Sequence, residues 1–136
     1  MNLQPSLSFF CIALIFPHMS CDHKSPAPTP ARLELERDAA AVMQINPGHD
    51  LSDDSAIKII KFYFINNISS CGAIYSLVDK GDHWAAKIAL GGAGAIHATP
   101  IRLEKATGQI TWPGGDGWQP GPTYRSVREL VEGTLS

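Results

Sequence analysis

His49, His83 and His97 are the first residues of this sequence whose chemistry suggests a site, because imidazole is a common metal ligand. Zinc sites draw their ligands from short paired spacings and place carboxylates behind them. These histidines are far apart, and each lies near a predicted turn. We therefore predict exposed loop histidines and no metal.

Four carboxylates, those of Asp79, Asp82, Glu104 and Asp116, could supply a pair for acid–base chemistry. Such a pair works only when burial separates the two pKa values. Asp79 and Asp82 belong to a polar turn, where both should stay ionised. Because a Gly-x-Ser-x-Gly nucleophile signature is also absent, we predict no catalytic residues.

Residues 91–95 (GGAGA) invite comparison with a phosphate-binding loop. That loop needs a helix start, a lysine and a hydroxyl residue after its glycines. Neither Lys-Ser nor Lys-Thr follows, and the next segment has the pattern of a strand. We interpret the run as a flexible hairpin loop or bulge and predict no cofactor.

The tryptophans are the more informative set, because aromatic side chains beside Gly/Pro loops often anchor a partner. Trp84 alternates with apolar residues and is predicted to be core, whereas Trp112 is left open between core and surface. Trp118 belongs to the Gly/Pro loop of residues 113–122 and is predicted to lie at the surface or in a lid. The predicted partner-binding residues are Trp112, Asp116, Trp118, Gln119 and His83.

Two helices precede the segments that carry these residues. In residues 31–45 an apolar stripe recurs at helical spacing, and Asn46-Pro47-Gly48 ends it. A second helix begins at Ser52, whose hydroxyl can cap it, and runs to about residue 67. Its apolar residues occupy more than one side, which predicts the central core helix.

Four strands follow, at residues 73–78, 83–90, 99–105 and 109–112, with a hairpin turn at 79–82. Ser126 and Glu129 form a capping box that opens a short C-terminal helix. Helices separated in sequence from a strand meander indicate an α+β domain. We predict a four-stranded antiparallel meander covered by helix on one face, all within residues 31–136.

The front of the chain has the features of a secretion signal. Residues 7–16 (LSFFCIALIF) are uncharged and suit a signal-peptide core, whereas about 20 apolar residues are needed to span a bilayer. Pro17 then breaks the helix. We predict that residues 1–20 are a cleaved signal peptide; the alternative is a buried core helix.

Cys21 follows this apolar stretch and the small residue Ser20, an arrangement that resembles the lipobox of bacterial lipoproteins. The resemblance implies cleavage before Cys21 and a diacylglyceryl group on its sulfur, which would anchor the protein to a membrane. A soluble secreted form is the alternative. Residues 21–30 are predicted to be a Pro-rich extended spacer.

Cys71 has two interpretations that depend on Cys21. If Cys21 is acylated, Cys71 is most simply a small buried hydrophobic residue. If Cys21 is free, an exported compartment permits a Cys21–Cys71 disulfide.

Composition limits the classes of partner. The chain has 136 residues, 44% of them hydrophobic, and a net charge of −2. This length suits one domain. Because no Lys/Arg cluster is present, we predict neither nucleic-acid binding nor a polybasic membrane patch.

The stretch from Asp53 to Thr111 resembles two families of small exported or immunity domains. It carries a helix (SDDSAIKIIKFY), a strand with a tryptophan (DHWAAKIAL), a Gly-Gly break and the strand–turn–strand segment IRLEKATGQI. These features are similar to the NTF2-fold immunity proteins of bacterial toxin systems and to PepSY domains. Either resemblance implies a protein that binds another protein or a peptide, and neither implies an enzyme.

Three functional hypotheses remain at this point. The first is an exported binding or inhibitory module of the bacterial cell envelope, and the second is a structural envelope lipoprotein. The third is a small periplasmic hydrolase or ligand-binding enzyme with a pocket under the Gly/Pro loop. It requires His83, His97 and Asp116 to converge within hydrogen-bonding reach.

Overall fold

A computed structural model describes residues 27–91 and 93–136 of the chain. Residues Ala31–Ser136 form one compact unit. The signal peptide, Cys21 and residues 22–26 of the spacer lie outside the described residues, so those assignments stay predictions. No helix in the described part of the chain has the length and apolar character needed to cross a membrane.

Three helices have start and stop signals that can be identified in the sequence. They are α1 (Pro30–Met43), α2 (Asp53–Asn67) and α3 (Val127–Leu135). Proline is well suited to the first helical position, where α1 has it. Ser52 Oγ accepts a hydrogen bond of 3.2 Å from Ser55 N and caps α2. Ser126 Oγ caps α3 in the same way, from Glu129 N at 3.1 Å.

One antiparallel sheet follows α2. Its strands are β1 (Ala73–Asp79), β2 (His83–Leu90), β3 (Ala95–Ile96), β4 (Ile101–Glu104) and β5 (Ile110–Thr111). The order is β1-β2-β4-β5, and the two-residue β3 pairs with the far end of β2. The Asp79–Asp82 turn joins β1 to β2, and Lys80 N donates to His83 O at 2.9 Å.

The helices cover one face of this sheet, as the sequence predicts. The α2 helix packs against β1, β4 and α3, and its buried residues are Ala56, Ile59, Ile60, Phe62, Tyr63 and Phe64. From the sheet, Ile88, Ile101 and Leu103 meet them with no exposed surface. The opposite face carries exposed side chains such as Lys87 and Arg102. The predicted α+β fold class is confirmed.

Trp84 is buried, as predicted, and a group of polar interactions surrounds it at one end of the sheet. Its Nε1 donates to Leu51 O at 3.0 Å. The ammonium group of Lys105 lies 4.9 Å from the Trp84 ring centroid and donates to Asp79 Oδ1 at 2.7 Å. That hydrogen bond, with a second one from Gly81 N, holds the pKa of the Asp79 carboxyl below its ordinary value.

Three details differ from the sequence prediction, and the first is the two-residue strand β3, which the predicted four-stranded meander does not contain. Strand β4 begins at Ile101 rather than at residue 99, because β3 and the segment after it turn the chain back along β2. Cys71 is exposed, whereas we predicted a small buried residue if Cys21 is acylated. It precedes β1 in a turn where Ser69 Oγ bonds its backbone, which keeps this segment at the surface.

Candidate functional site

The Gly/Pro loop after β5 folds into a small hairpin. Gly115 N donates to Trp118 O at 3.1 Å, and Trp118 N donates to Gly115 O at 2.9 Å. Asp116 and Gly117, between them, have φ values of 52° and 88°. Two consecutive left-handed residues are the mark of a type I′ turn, for which Asp-Gly is a preferred pair. We call residues 115–118 the Asp-Gly hairpin.

The base of this hairpin is fixed to the rest of the domain. Gly121 N donates to Trp112 O at 3.0 Å, and the Tyr63 hydroxyl donates to Pro122 O at 2.7 Å. A side chain at Gly114 would meet Trp118 O at 2.7 Å, so the loop closes tightly only with glycine there. Residues 113–122 therefore form a loop outside the named helices and strands, and this loop contains one isolated antiparallel bridge between Gly115 and Trp118.

His97 lies beneath the hairpin between two tryptophans. Its side chain is buried, with the residue 4% exposed. The ring centroids of Trp112 and Trp118 lie 6.0 Å and 6.2 Å from that of His97, both edge-on. His97 N also donates to Ile88 O at 2.9 Å, which fixes the histidine against β2. The prediction that His97 is an exposed loop histidine is wrong, because this loop folds over it.

Asp116 approaches the histidine from the solvent side. Its Oδ2 lies 3.4 Å from His97 Nδ1, and its side chain is 69% exposed. The two atoms are close enough for an ion pair, but they lack hydrogen-bond alignment, and Nδ1 has no hydrogen-bond partner among the described residues. In the described part of the chain, no three His, Cys, Asp or Glu side chains gather in a group able to hold a metal.

The predicted site residues separate into three groups. Asp116 and Trp118 lie together at the surface, and Gln119 follows them in an exposed position. Trp112 is only 1% exposed and donates its Nε1 to Thr99 O at 3.0 Å, so it supports the site from below and cannot contact a partner directly.

His83 lies away from the other site residues, at the opposite end of β2. At about 3.3 Å per residue, it is roughly 16 Å along the strand from Ile88, the residue that pairs with His97. Its Nδ1 lies 2.6 Å from Asp82 Oδ1, and this hydrogen bond lowers the pKa of the Asp82 carboxyl. Grouping His83 with the Gly/Pro loop is therefore corrected, because the length of β2 separates them.

Two cavities lie along the helices rather than under the loop. One of about 510 Å³ lies between α1 and α2, and one of about 470 Å³ lies at the end of these helices. No residue of the Gly/Pro loop lines either of them. At the Asp-Gly hairpin, the ring of Trp118 packs against buried His97, while Asp116 and Trp118 keep exposed surface.

Comparison with known proteins gives no match to this chain, whether by family model, curated protein or solved structure. The similarities to NTF2-fold immunity proteins and PepSY domains therefore stay predictions from the quoted motifs.

Proposed function

We propose that this chain is an exported, non-enzymatic binding protein of the bacterial cell envelope, which inhibits or tethers a protein or peptide partner. The observation that carries the proposal is Trp118. Its side chain is 38% exposed on the Asp-Gly hairpin, and its inner edge rests against buried His97.

A half-exposed tryptophan on a fixed turn suits protein recognition for two reasons. Tryptophan is among the residues that most often contribute a large share of binding energy at interfaces. A hairpin held by its own backbone hydrogen bonds loses little conformational entropy on binding. The exposed side chains of Asp116 and Gln119 would supply the polar rim around the indole.

The envelope location rests on the sequence. The apolar stretch of residues 7–16 predicts export, and Cys21 with the Pro-rich spacer predicts a lipid anchor that holds the domain away from a membrane. A freely secreted form would carry the same binding surface. In either form the partner is a protein or peptide rather than a nucleic acid.

The partner surface is tested by affinity capture from envelope extract with quantitative mass spectrometry. We expect the unchanged protein to capture a specific partner. The amount of that partner captured by the Trp118→Ala variant should be at least tenfold lower. Tyr75→Ala is the matched control, since Tyr75 is an aromatic side chain 64% exposed on β1. Equal losses with both variants, or no partner that depends on Trp118, would contradict the proposal.

Export is tested separately by the intact mass of the protein purified from the cells that make it. Cleavage and acylation predict a chain that begins at Cys21 and carries the mass of attached acyl groups. A Cys21→Ala variant should lose that added mass and leave the membrane fraction. An untrimmed chain of 136 residues in the cytosol would remove the envelope assignment.

The hydrolase alternative has one observation in its favour, the approach of Asp116 to His97. The three-residue convergence that it requires is not found, because His83 lies at the far end of β2. The structural-lipoprotein alternative predicts capture that is unchanged by Trp118→Ala, so the capture experiment distinguishes it from a binding protein.

A further inference from the structure

A groove between α1 and α2 has an apolar lining that the binding proposal does not use. Its floor is apolar and includes Leu35, Val42, Phe62 and Ile65. Ile65 is 43% exposed, and Leu33, on the same helix as Leu35, is 52% exposed. The α1–α2 surface therefore offers hydrophobic area to water, and no residue of the Asp-Gly hairpin lines it.

The two walls of this groove carry opposite charges. Glu34 and Asp38 line the α1 wall, and Lys58 and Lys61 line the α2 wall. All four side chains are exposed. Among the described residues, no ion pair joins the two walls, and neither lysine has a carboxylate within 4.0 Å. Glu34 and Asp38 form ion pairs only with Arg37 of their own helix, at 3.9 and 4.0 Å. These ion pairs are exposed to solvent, so they contribute little to stability.

The lining also shows how the helices run. Ala41 in the last turn of α1 and Ser55 in the first turn of α2 line the other cavity together, and only the nine residues 44–52 connect the two helices. The helices are therefore antiparallel. A two-fold axis along the groove would place α1 of one copy over α2 of the other, and α2 over α1. Each acidic wall would then face a basic wall.

We propose that the α1–α2 face is the contact surface of a homodimer, with a second copy of this chain as the occupant of the groove. The symmetric arrangement satisfies four charges per copy and removes the apolar floor from water. It leaves the Asp-Gly hairpin of each copy free, and it does not depend on the function proposed above.

The size of the face determines how tight the dimer is. Helices of 14 and 15 residues are about 21 and 22 Å long at 1.5 Å per residue. Two helices side by side, each about 10 Å across, give a small contact patch. Interfaces of this size are at the weak end of specific protein association. We expect a reversible dimer that dissociates on dilution through the micromolar range.

Sedimentation equilibrium of residues 21–136, the chain that remains after the predicted cleavage, tests this, with Cys21→Ser in every protein so that neither the apolar signal nor an acyl chain promotes association. Reversing the basic wall with Lys58→Glu and Lys61→Glu should weaken dimerisation at least tenfold. Reversing the acidic wall with Glu34→Lys and Asp38→Lys should weaken it as much. Lys80→Glu with Lys87→Glu is the control of equal charge change, on exposed residues outside the groove.

The decisive experiment mixes the variant whose basic wall is reversed with the variant whose acidic wall is reversed. In the mixed dimer, every acidic wall again faces a basic wall, so we expect heterodimers although each protein alone is monomeric. Circular dichroism of each variant confirms that it is folded. A monomeric wild-type chain would overturn the proposal and leave the groove to a helix of another protein. Association that ignores the reversals, or a mixture that stays monomeric, would overturn it as well.

Discussion

Three aromatic side chains have different positions at the Asp-Gly hairpin: those of Trp112 and His97 are buried, and that of Trp118 is partly exposed. Trp112 is buried and hydrogen-bonded to the Thr99 carbonyl, His97 fills the space above it, and Trp118 covers His97 while exposing part of its indole. The buried members fix the position of the exposed one. Their contributions should therefore separate, with Trp112 acting on stability and Trp118 on binding.

We predict that Trp112→Phe lowers the free energy of unfolding by about 1–2 kcal/mol, because the part-buried hydrogen bond to the Thr99 carbonyl is lost and the smaller ring leaves space in the core. Urea denaturation measures the change. Trp118→Phe is the matched control, since no described hydrogen bond uses its indole nitrogen, and we expect a change of less than about 0.5 kcal/mol. Equal effects of the two substitutions would mean that the Trp112–Thr99 hydrogen bond contributes nothing specific.

The acid side of the stability profile depends on Asp79. Its folded pKa lies below the ordinary value of 3.8, chiefly because Lys105 donates a hydrogen bond to it. A lowered carboxyl pKa stabilises the fold above the unfolded value, and that stabilisation is lost as the pH falls through the folded value. The Asp79–Lys105 contribution should therefore be complete near neutral pH and disappear below about pH 4.

We predict that Asp79→Asn is less stable than the unchanged protein near neutral pH and that the difference narrows below about pH 4. Urea denaturation at a series of pH values measures it. In a Lys105→Met background the narrowing should be much smaller, because the main cause of the pKa shift is gone. A difference that stays constant with pH in both backgrounds would contradict this assignment.

Single residues were predictable from the sequence where local pattern decides their environment. Trp84 alternates with small and apolar residues, and it is buried as expected. His97 lies between a glycine-rich turn and Thr99-Pro100, which indicate a surface position, yet a loop that begins some 15 residues later covers it. That burial comes from a tertiary contact that no local pattern contains.

At the scale of elements, the helices and the longer strands could be predicted because each carries its own periodicity and caps. Strand β3 was missed because two residues beside a glycine-rich turn give no alternation. The Asp-Gly hairpin had a local signal that we did not use, since Asp-Gly is a preferred pair for type I′ turns. The pairing of that hairpin above His97 depends on Gly114 and on the tie between Tyr63 and Pro122.

The hairpin turn gives an element-scale prediction. Gly117 has a φ of 88°, so Gly117→Ala forces a side chain into left-handed backbone and should cost about 1 kcal/mol in the free energy of unfolding. Gly48→Ala is the control, because a Cβ there has open space and the backbone does not require glycine. Thermal or urea denaturation measures the free energy of unfolding of both variants. An equal loss in the two would show that the turn does not require the left-handed backbone at Gly117.

At the scale of the whole molecule, one core serves the described domain. All of its buried cluster lies between Ala39 and Val131. The predicted signal and the whole spacer, residues 1–30, precede this range. The proposed binding surface at the Asp-Gly hairpin and the proposed dimer surface on α1 and α2 are built on that same core.

We predict that a chain shortened to residues 27–136 unfolds in a single cooperative transition, with the same free energy as the chain that the cell processes. The reason is that, among the described residues, the buried cluster begins at Ala39 and the partly buried Leu35 is the first side chain packed against it. Urea denaturation followed by tryptophan fluorescence makes the comparison. A shortened chain with no cooperative transition would mean that the removed residues contribute to the core.

The central claim is that Trp118 contacts a protein partner in the cell envelope. A photo-reactive amino acid placed at position 118 in living cells tests it most directly, with the same amino acid at position 75 as the matched exposed site. The account predicts a discrete cross-linked adduct with an envelope protein from position 118 and none of that size from position 75. No adduct at 118, or the same adducts from both positions, would contradict it.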